Sequence, residues 1–290
     1  MPKTVLEEKV HSLFGAQGGA YDISGTMAKN KSPLRYPGGK TRACKILDTI
    51  LKEHFDISQF DNLVSPFFGG GSFEIHLQNQ YDINIIANDK FTPLYNFWNT
   101  CKTDKKRLCK RLAEQLNLVD KEEFTRLRKG IMQESDGFKQ SIMFFVINRC
   151  SFSGATLSGG FSSDASKNRF TESSIDRVKH LDLSSYQFSN LDFKKFINDN
   201  QDEKNLMFLD PPYYLNKGNT LYGNNGDLHE AFNHKRLYKC LSTKKNWIMT
   251  YNDCEYIRAL YKGYKIIEVD WKYGMNATKK SSEIVIIGGN

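Results

Sequence analysis

Short apolar runs recur along the chain at intervals that leave room for a helix between one and the next. Residues 62–65, 83–87, 205–209 and 247–251 are such runs, closed by Pro, Asn or Asp, and residues 186–189 make a shorter extended stretch. Runs of this kind predict strands. Helical spacing falls between them, over 41–51, from Phe73 onward, over 174–181 and over 228–241. Strand and helix in alternation predict an open α/β sheet. The last two strands, at 264–271 and 282–287, are separated by residues 272–281 alone. That is too few for a helical crossover, so an antiparallel hairpin at the sheet edge is expected.

From Lys102 the pattern changes. Leu108, Leu112 and Leu116 form a helical apolar stripe, Asp120 with Glu123 reads as a capping box, and an apolar helix covers 142–147. The expected organisation is therefore an N-terminal extension at 1–30, a first catalytic part at 31–101, an inserted, mainly helical recognition segment at 102–179, and a second catalytic part at 180–290. In the extension, Gly15, Gly18 and Gly19 interrupt any helix begun at 5–14. A glycine- and asparagine-rich stretch at 215–227 reads as a mobile loop.

The pattern is organised around Asp210-Pro211-Pro212-Tyr213, directly after the apolar run 205–209. Two prolines cannot continue a central strand, so the chain turns as Asp210 leaves it. A carboxylate, a rigid carbonyl-bearing turn and an aromatic ring then stand at the carboxyl end of a strand, where open α/β sheets bind ligands. A bare turn with a surface tyrosine is the alternative.

Two glycine-rich stretches point to the same end. Ser32-Pro33-Leu34-Arg35-Tyr36-Pro37-Gly38-Gly39-Lys40 precedes a helix, and Pro66-Phe67-Phe68-Gly69-Gly70-Gly71 leads from the first strand into another. Glycines there let the backbone approach a ligand facing helix N–H groups. Asp89 follows the second strand about 20 residues after the loop, where nucleoside-binding folds place a ribose-binding acid; a helix-capping role is the plainer reading. Asp192 and Phe193 close a later strand.

Charge adds a partner. The 290 residues carry a formal +8 with pI near 9.0, which suits a polyanion. Residues 102–179 hold 16 basic and 10 acidic side chains, whereas 46–101 are acidic on balance. Within the basic segment, residues 148–161 are small, polar and glycine-rich, poor core material but suited to a groove. Arg149 is a candidate for phosphate or base contact, with Phe152, Thr156, Leu157 and Ser158 beside it. The six cysteines show no CxxC and no zinc spacing, so reduced thiols and no metal are expected. The absence of a membrane-length apolar run or a secretory segment predicts a cytoplasmic or nucleoid-associated protein.

Taken together, the SPLRYPGGK entry, the glycine loop, Asp89, the insert and DPPY, in that order over residues 32–287, resemble the Dam-like (D12) class of DNA adenine-N6 methyltransferases. The resemblance implies a Rossmann-like seven-stranded sheet with S-adenosylmethionine as cofactor. Tyr36, Pro37, Gly38, Gly39, Lys40, Pro66, Phe67, Gly69, Gly71, Asp89 and Asp210 would line its site, and Asp192 with Phe193 would hold its adenine. Catalysis would fall to Asp210, Pro211, Pro212 and Tyr213. The Asp210 carboxylate and Pro211 carbonyl would accept the protons of the target amine, freeing its lone pair. Tyr213 would stack on a base flipped from double-stranded DNA, as a ring rather than a hydroxyl. A monomer, and a cognate restriction endonuclease as functional partner, are expected.

Relatives that read GATC carry Arg-Tyr-Asn after Asn-Arg-x-x-Phe-x-Gly. Here Asn148, Arg149, Phe152 and Gly154 are followed by Ala155, Thr156 and Leu157, which argues against GATC. Cytosine-N4 methylation on the same fold and a non-catalytic nucleic-acid-binding relative are the alternatives. The aspartate of DPPY favours adenine, and intact Lys40, Gly69, Gly71, Asp89 and Asp210 favour catalysis.

Overall fold

The computed structural model describes residues 30–36, 38–214, 232–270 and 282–289. Pro37, the N-terminal extension before Asn30 and the expected loop at 215–227 lie outside them. The strands are β1 (Asn62–Ser65), β2 (Asn84–Asn88), β3 (Tyr186–Ser189), β4 (Asn205–Leu209), β5 (Trp247–Asn252), β6 (Lys265–Asp270) and β7 (Ser282–Gly288). They form one seven-stranded sheet in the order β3-β2-β1-β4-β5-β7-β6. The first five are parallel, with Leu63 opposite both Ile85 and Leu206. Both faces of such strands are covered, which is why β4 is buried throughout and apolar from Leu206 to Leu209.

The final pair is antiparallel, as its short connection requires. It is β7, with Ile284, Val285, Ile286 and Ile287 all buried, that pairs with β5. β6, with Lys265 and Glu268 exposed, takes the edge, where charged side chains discourage further pairing.

The helices are α1 (Cys44–His54), α2 (Ser72–Tyr81), α3 (Thr92–Thr103), α4 (Lys105–Ala113), α5 (Lys121–Gly130), α6 (Gly137–Cys150), α7 (Ser163–Asn168), α8 (Glu172–Lys179), α9 (Phe193–Asp199), α10 (His234–Leu241) and α11 (Glu255–Leu260). The helix expected over 41–51 begins a turn later, after a 3-10 turn at Lys40–Arg42. The Asp120 side chain accepts from Glu123 N at 2.8 Å, capping α5. The stripe through Leu108 and Leu112 is buried on α4, but Leu116 lies beyond the helix end.

Helices α4 to α8 fall between β2 and β3 in the chain. Leu108, Phe124, Phe144 and Val178 belong to the same buried cluster as Ile85 and Leu206 of the sheet. On α6, Phe145 stacks on Phe97 of α3 with ring centroids 5.4 Å apart. The segment is thus welded to the sheet core by apolar contacts. The stretch after α6 is folded rather than open, with 3-10 turns at Phe152–Gly154 and Thr156–Ser158. Running β1-β2-β3 outward on one side and resuming with β4 on the other leaves a switch point at the carboxyl ends of β1 and β4, the place such sheets reserve for ligands.

Candidate active site

Asp210 leaves β4 at this switch point, and its carboxylate is held on both sides. Oδ1 accepts from the Thr250 hydroxyl of β5 at 2.6 Å, and Oδ2 accepts from Lys40 Nζ at 2.8 Å. Lys40 is only 3% exposed, also donates to Gly38 O at 3.0 Å, and stands 3.9 Å from Glu283 Oε2 of β7. The Tyr213 hydroxyl donates to the same Glu283 oxygen at 2.7 Å. The ring of Tyr213 lies beneath Lys40, 5.1 Å from Nζ to centroid, and stacks on Tyr251 at 5.9 Å. Two carboxylates, a lysine and a tyrosine therefore form one network drawn from three separate segments. Glu283 carried no signal in the sequence beyond its place on an apolar strand.

Close packing by itself demands glycines in the loop. Gly71 has φ of 64°, and a Cβ there would sit 2.5 Å from the Phe68 ring; a Cβ on Gly70 would meet Tyr36 at 2.8 Å. Asp89 ties the glycine loop to the chain that follows β2. Its Oδ2 accepts from Gly69 N and its Oδ1 from Phe91 N, each at 2.9 Å, so it fastens the loop and the start of α3 together. Burial pushes its carboxyl up to about 6 against the pull of these two backbone donors.

At the other end, Asp192 is the N-cap of α9 and not a strand residue. It receives a bidentate pair from Arg236 of α10 at 2.6 and 2.8 Å, and the resulting hydrogen bonds hold its carboxyl below the usual range. Arg236 also lies over Phe193, 4.8 Å from the ring centroid. Phe67, Phe193 and Phe232 make an aromatic cluster with centroids 5.4–5.7 Å apart. Arg236 on α10 and Phe232, which precedes that helix, were not legible as site residues, because residues 228–241 read simply as one amphipathic helix.

A cavity of about 540 Å³ joins these parts. Tyr36, Gly38, Gly39, Lys40, Pro66, Phe67, Gly69, Gly71, Asp89, Asp192, Phe193 and the whole of Asp210 to Tyr213 line it, as do Thr156 and Leu157. Glu74, buried on α2, also lines it and takes a 2.6 Å hydrogen bond from Ser65 at the end of β1. A glutamate in the first turn of a helix gives no sequence cue to such a position.

The structure assigns Arg149 a different place from the contact expected of it. It is buried, donating from Nε to Arg169 O at 2.7 Å and from a terminal nitrogen to Pro33 O at 3.2 Å. Burial, reinforced by Arg35, Arg177 and Arg169, pushes its guanidinium down to about 10. Beside it, Asn148 pairs with both backbone groups of Arg35 at 3.0 and 2.7 Å. These two side chains anchor the entry stretch that delivers Lys40. Phe152 is 70% exposed and Ser158 is exposed, whereas Thr156 and Leu157 are buried.

Among the described residues no helix is long and apolar enough to cross a membrane, and no cluster of His, Cys, Asp and Glu is placed to hold a metal ion. A family model of the D12 class N6 adenine-specific DNA methyltransferases matches residues 36–275. The chain is also 24% identical over 266 residues to a type II methyltransferase, M.CviBI, of Paramecium bursaria Chlorella virus NC1A. That alignment covers 84% of this chain and 91% of the viral protein.

Proposed function

The chain belongs to the D12 class of N6 adenine-specific DNA methyltransferases, and from that premise we propose how its own residues carry out DNA adenine methylation. Methyltransferases of this family generally use S-adenosylmethionine, which supplies an electrophilic methyl group. The cavity fits such a molecule in size and chemistry. Phe67, Phe193 and Phe232 offer aromatic faces for a purine, Asp89 a carboxylate for ribose hydroxyls, and the Gly69–Gly71 turn a close backbone approach before α2.

Asp210 is the observation that carries the catalytic assignment. Held by Thr250 and Lys40, its carboxylate is fixed before any substrate arrives. Each oxygen retains a lone pair to accept a proton of the target amine. The Pro211 carbonyl is the second acceptor, so the nitrogen is drawn toward tetrahedral geometry and its lone pair is released from conjugation. Preorganised acceptors act without reorganisation at the moment of transfer. Tyr213 stacks on the extruded adenine, since the amine cannot reach the cavity from inside a duplex.

Thr156 and Leu157 bring the inserted segment to the cavity, and Phe152 and Ser158 present its outer surface. This supports the basic segment as the reader of the sequence around the adenine, at a site other than GATC. The type II name of the viral relative supports a cognate restriction endonuclease as partner.

The test is modified-base sequencing of DNA from cells expressing the protein, beside methyl transfer in vitro. N6-methyladenine in one recurring sequence is expected. N4-methylcytosine, or no modification with cofactor bound, would overturn the assignment.

A further inference from the structure

The Lys40 end of the cavity holds more negative than positive groups. Among the described residues there, Asp210, Glu283 and Glu74 gather around one lysine, whose described ion pairs are with the first two. Glu74 is set apart. It is 2% exposed, and no described cation lies within salt-bridge distance of it. Its one described side-chain donor is the neutral hydroxyl of Ser65. A buried carboxylate with a neutral partner is costly unless a cation meets it. Burial accordingly pushes its carboxyl up to about 7, with Asp210 acting in the same direction and Lys40 against it.

The position narrows what that cation is. Glu74 lies in the first turn of α2, directly after the glycine loop, on the cavity wall shared with Asp210. The aromatic and ribose-binding groups lie toward Asp89 and Phe193. A cofactor with its nucleoside at that end directs its amino-acid end elsewhere in the same cavity. We propose that Glu74, held by Ser65, is the subsite for the α-ammonium group of the cofactor's methionine portion. This rests on the reading of the cavity as the S-adenosylmethionine site. Glu74 is a positioning residue, remote from the transferred methyl group in role, and its work is to select and orient a zwitterionic amino-acid tail.

The experiment is calorimetric titration of the full chain and of Glu74→Gln with three ligands: S-adenosylmethionine, S-adenosylhomocysteine, and a deamino analogue of the latter. The glutamine keeps the Ser65 hydrogen bond but carries no charge. It should weaken both amine-bearing ligands by about tenfold or more, the size of a lost charge-assisted hydrogen bond, and leave the deamino analogue unchanged.

In the full chain, affinity for S-adenosylhomocysteine should fall as pH drops below about 7, because a protonated Glu74 cannot pair with ammonium. The glutamine variant should lose that portion of the pH dependence. Lys40, Cys44, Asp210 and Tyr186 also exchange charge interactions with Glu74, and they are common to both proteins. Should Glu74→Gln not fold, Ser65→Ala tests the same pairing, with a smaller loss confined to the amine-bearing ligands. Equal weakening of all three ligands, or none, overturns the proposal. Failure of the unaltered chain to bind any of them would instead overturn the cofactor reading on which it rests.

Discussion

Replacing Tyr213 by Phe separates a ring from its hydroxyl. From the sequence the ring alone matters, and Phe should serve as well as Tyr. In the structure the hydroxyl donates at 2.7 Å to Glu283, a carboxylate only 4% exposed. A hydrogen bond to a charged group contributes about 1.5–3 kcal/mol, and its loss leaves the acceptor partly unsatisfied. The same bond fixes the plane of the ring proposed to stack on the adenine. If that energy is realised in aligning the base for transfer, kcat falls by about tenfold to a hundredfold, at about 1.4 kcal/mol per decade. Stacking is retained, so Tyr213→Ala should be worse by a further 1–3 kcal/mol or so. The assay is single-turnover methyl transfer to an oligonucleotide duplex, with cofactor affinity measured separately and expected to be unchanged. Transfer by the Phe variant within about twofold of the unaltered enzyme would refute the reasoning and return Tyr213 to a purely aromatic role.

Three further outcomes follow from the geometry. Asp210→Ala removes the proposed acceptor for the target amine and the partner of buried Lys40, so transfer should be abolished in a tritiated-methyl incorporation assay. Arg149→Ala strips donors from Arg169 O and Pro33 O, so denaturant unfolding should show a loss of about 2 kcal/mol or more. The salt slope of DNA binding should not change with it, whereas loss of a phosphate contact would lower that slope by about one. Asp89 is raised by burial to about 6, so its ionisation weakens the fold as pH rises through the interval from its unfolded value to that point. The amide of Asp89→Asn can accept from only one of the two backbone donors, a pH-independent loss, but its stability measured against the unaltered chain should improve by about 1–3 kcal/mol as pH rises from 4 to 7, read from urea midpoints at each pH.

The local signals in this chain were strong where a short stretch had to do one thing. The run 205–209 followed by two prolines had to be a buried strand that stops, and Asp210 had to stand at its end. Gly69 and Gly71 adopt positive φ, which other residues rarely do, so their spacing betrayed a tight loop before a helix. The connection of residues 272–281 forbade a crossover, and β6 and β7 are antiparallel. These features follow from backbone sterics and period, which act over a few residues and leave their mark in composition.

What the tertiary structure alone decided involves partners far apart in the chain. Lys40 meets Asp210 across 170 positions, and Tyr213 meets Glu283 across 70. The second contact depends on β7, not β6, lying next to β5. Strand order of that kind reflects which strand has the larger apolar surface to bury, a comparison between segments and not a property of either. Arg149 shows the same limit from the other side. An arginine at the end of an apolar helix has the same local pattern whether it faces DNA or two backbone carbonyls. Only the approach of Pro33 and Arg169 turns it inward. Likewise nothing local to Glu74 distinguishes a solvated first-turn acid from a buried one. Ser65, nine residues away on the neighbouring strand, and the cavity between them settle its environment, because burial and hydrogen bonding are properties of the assembled core.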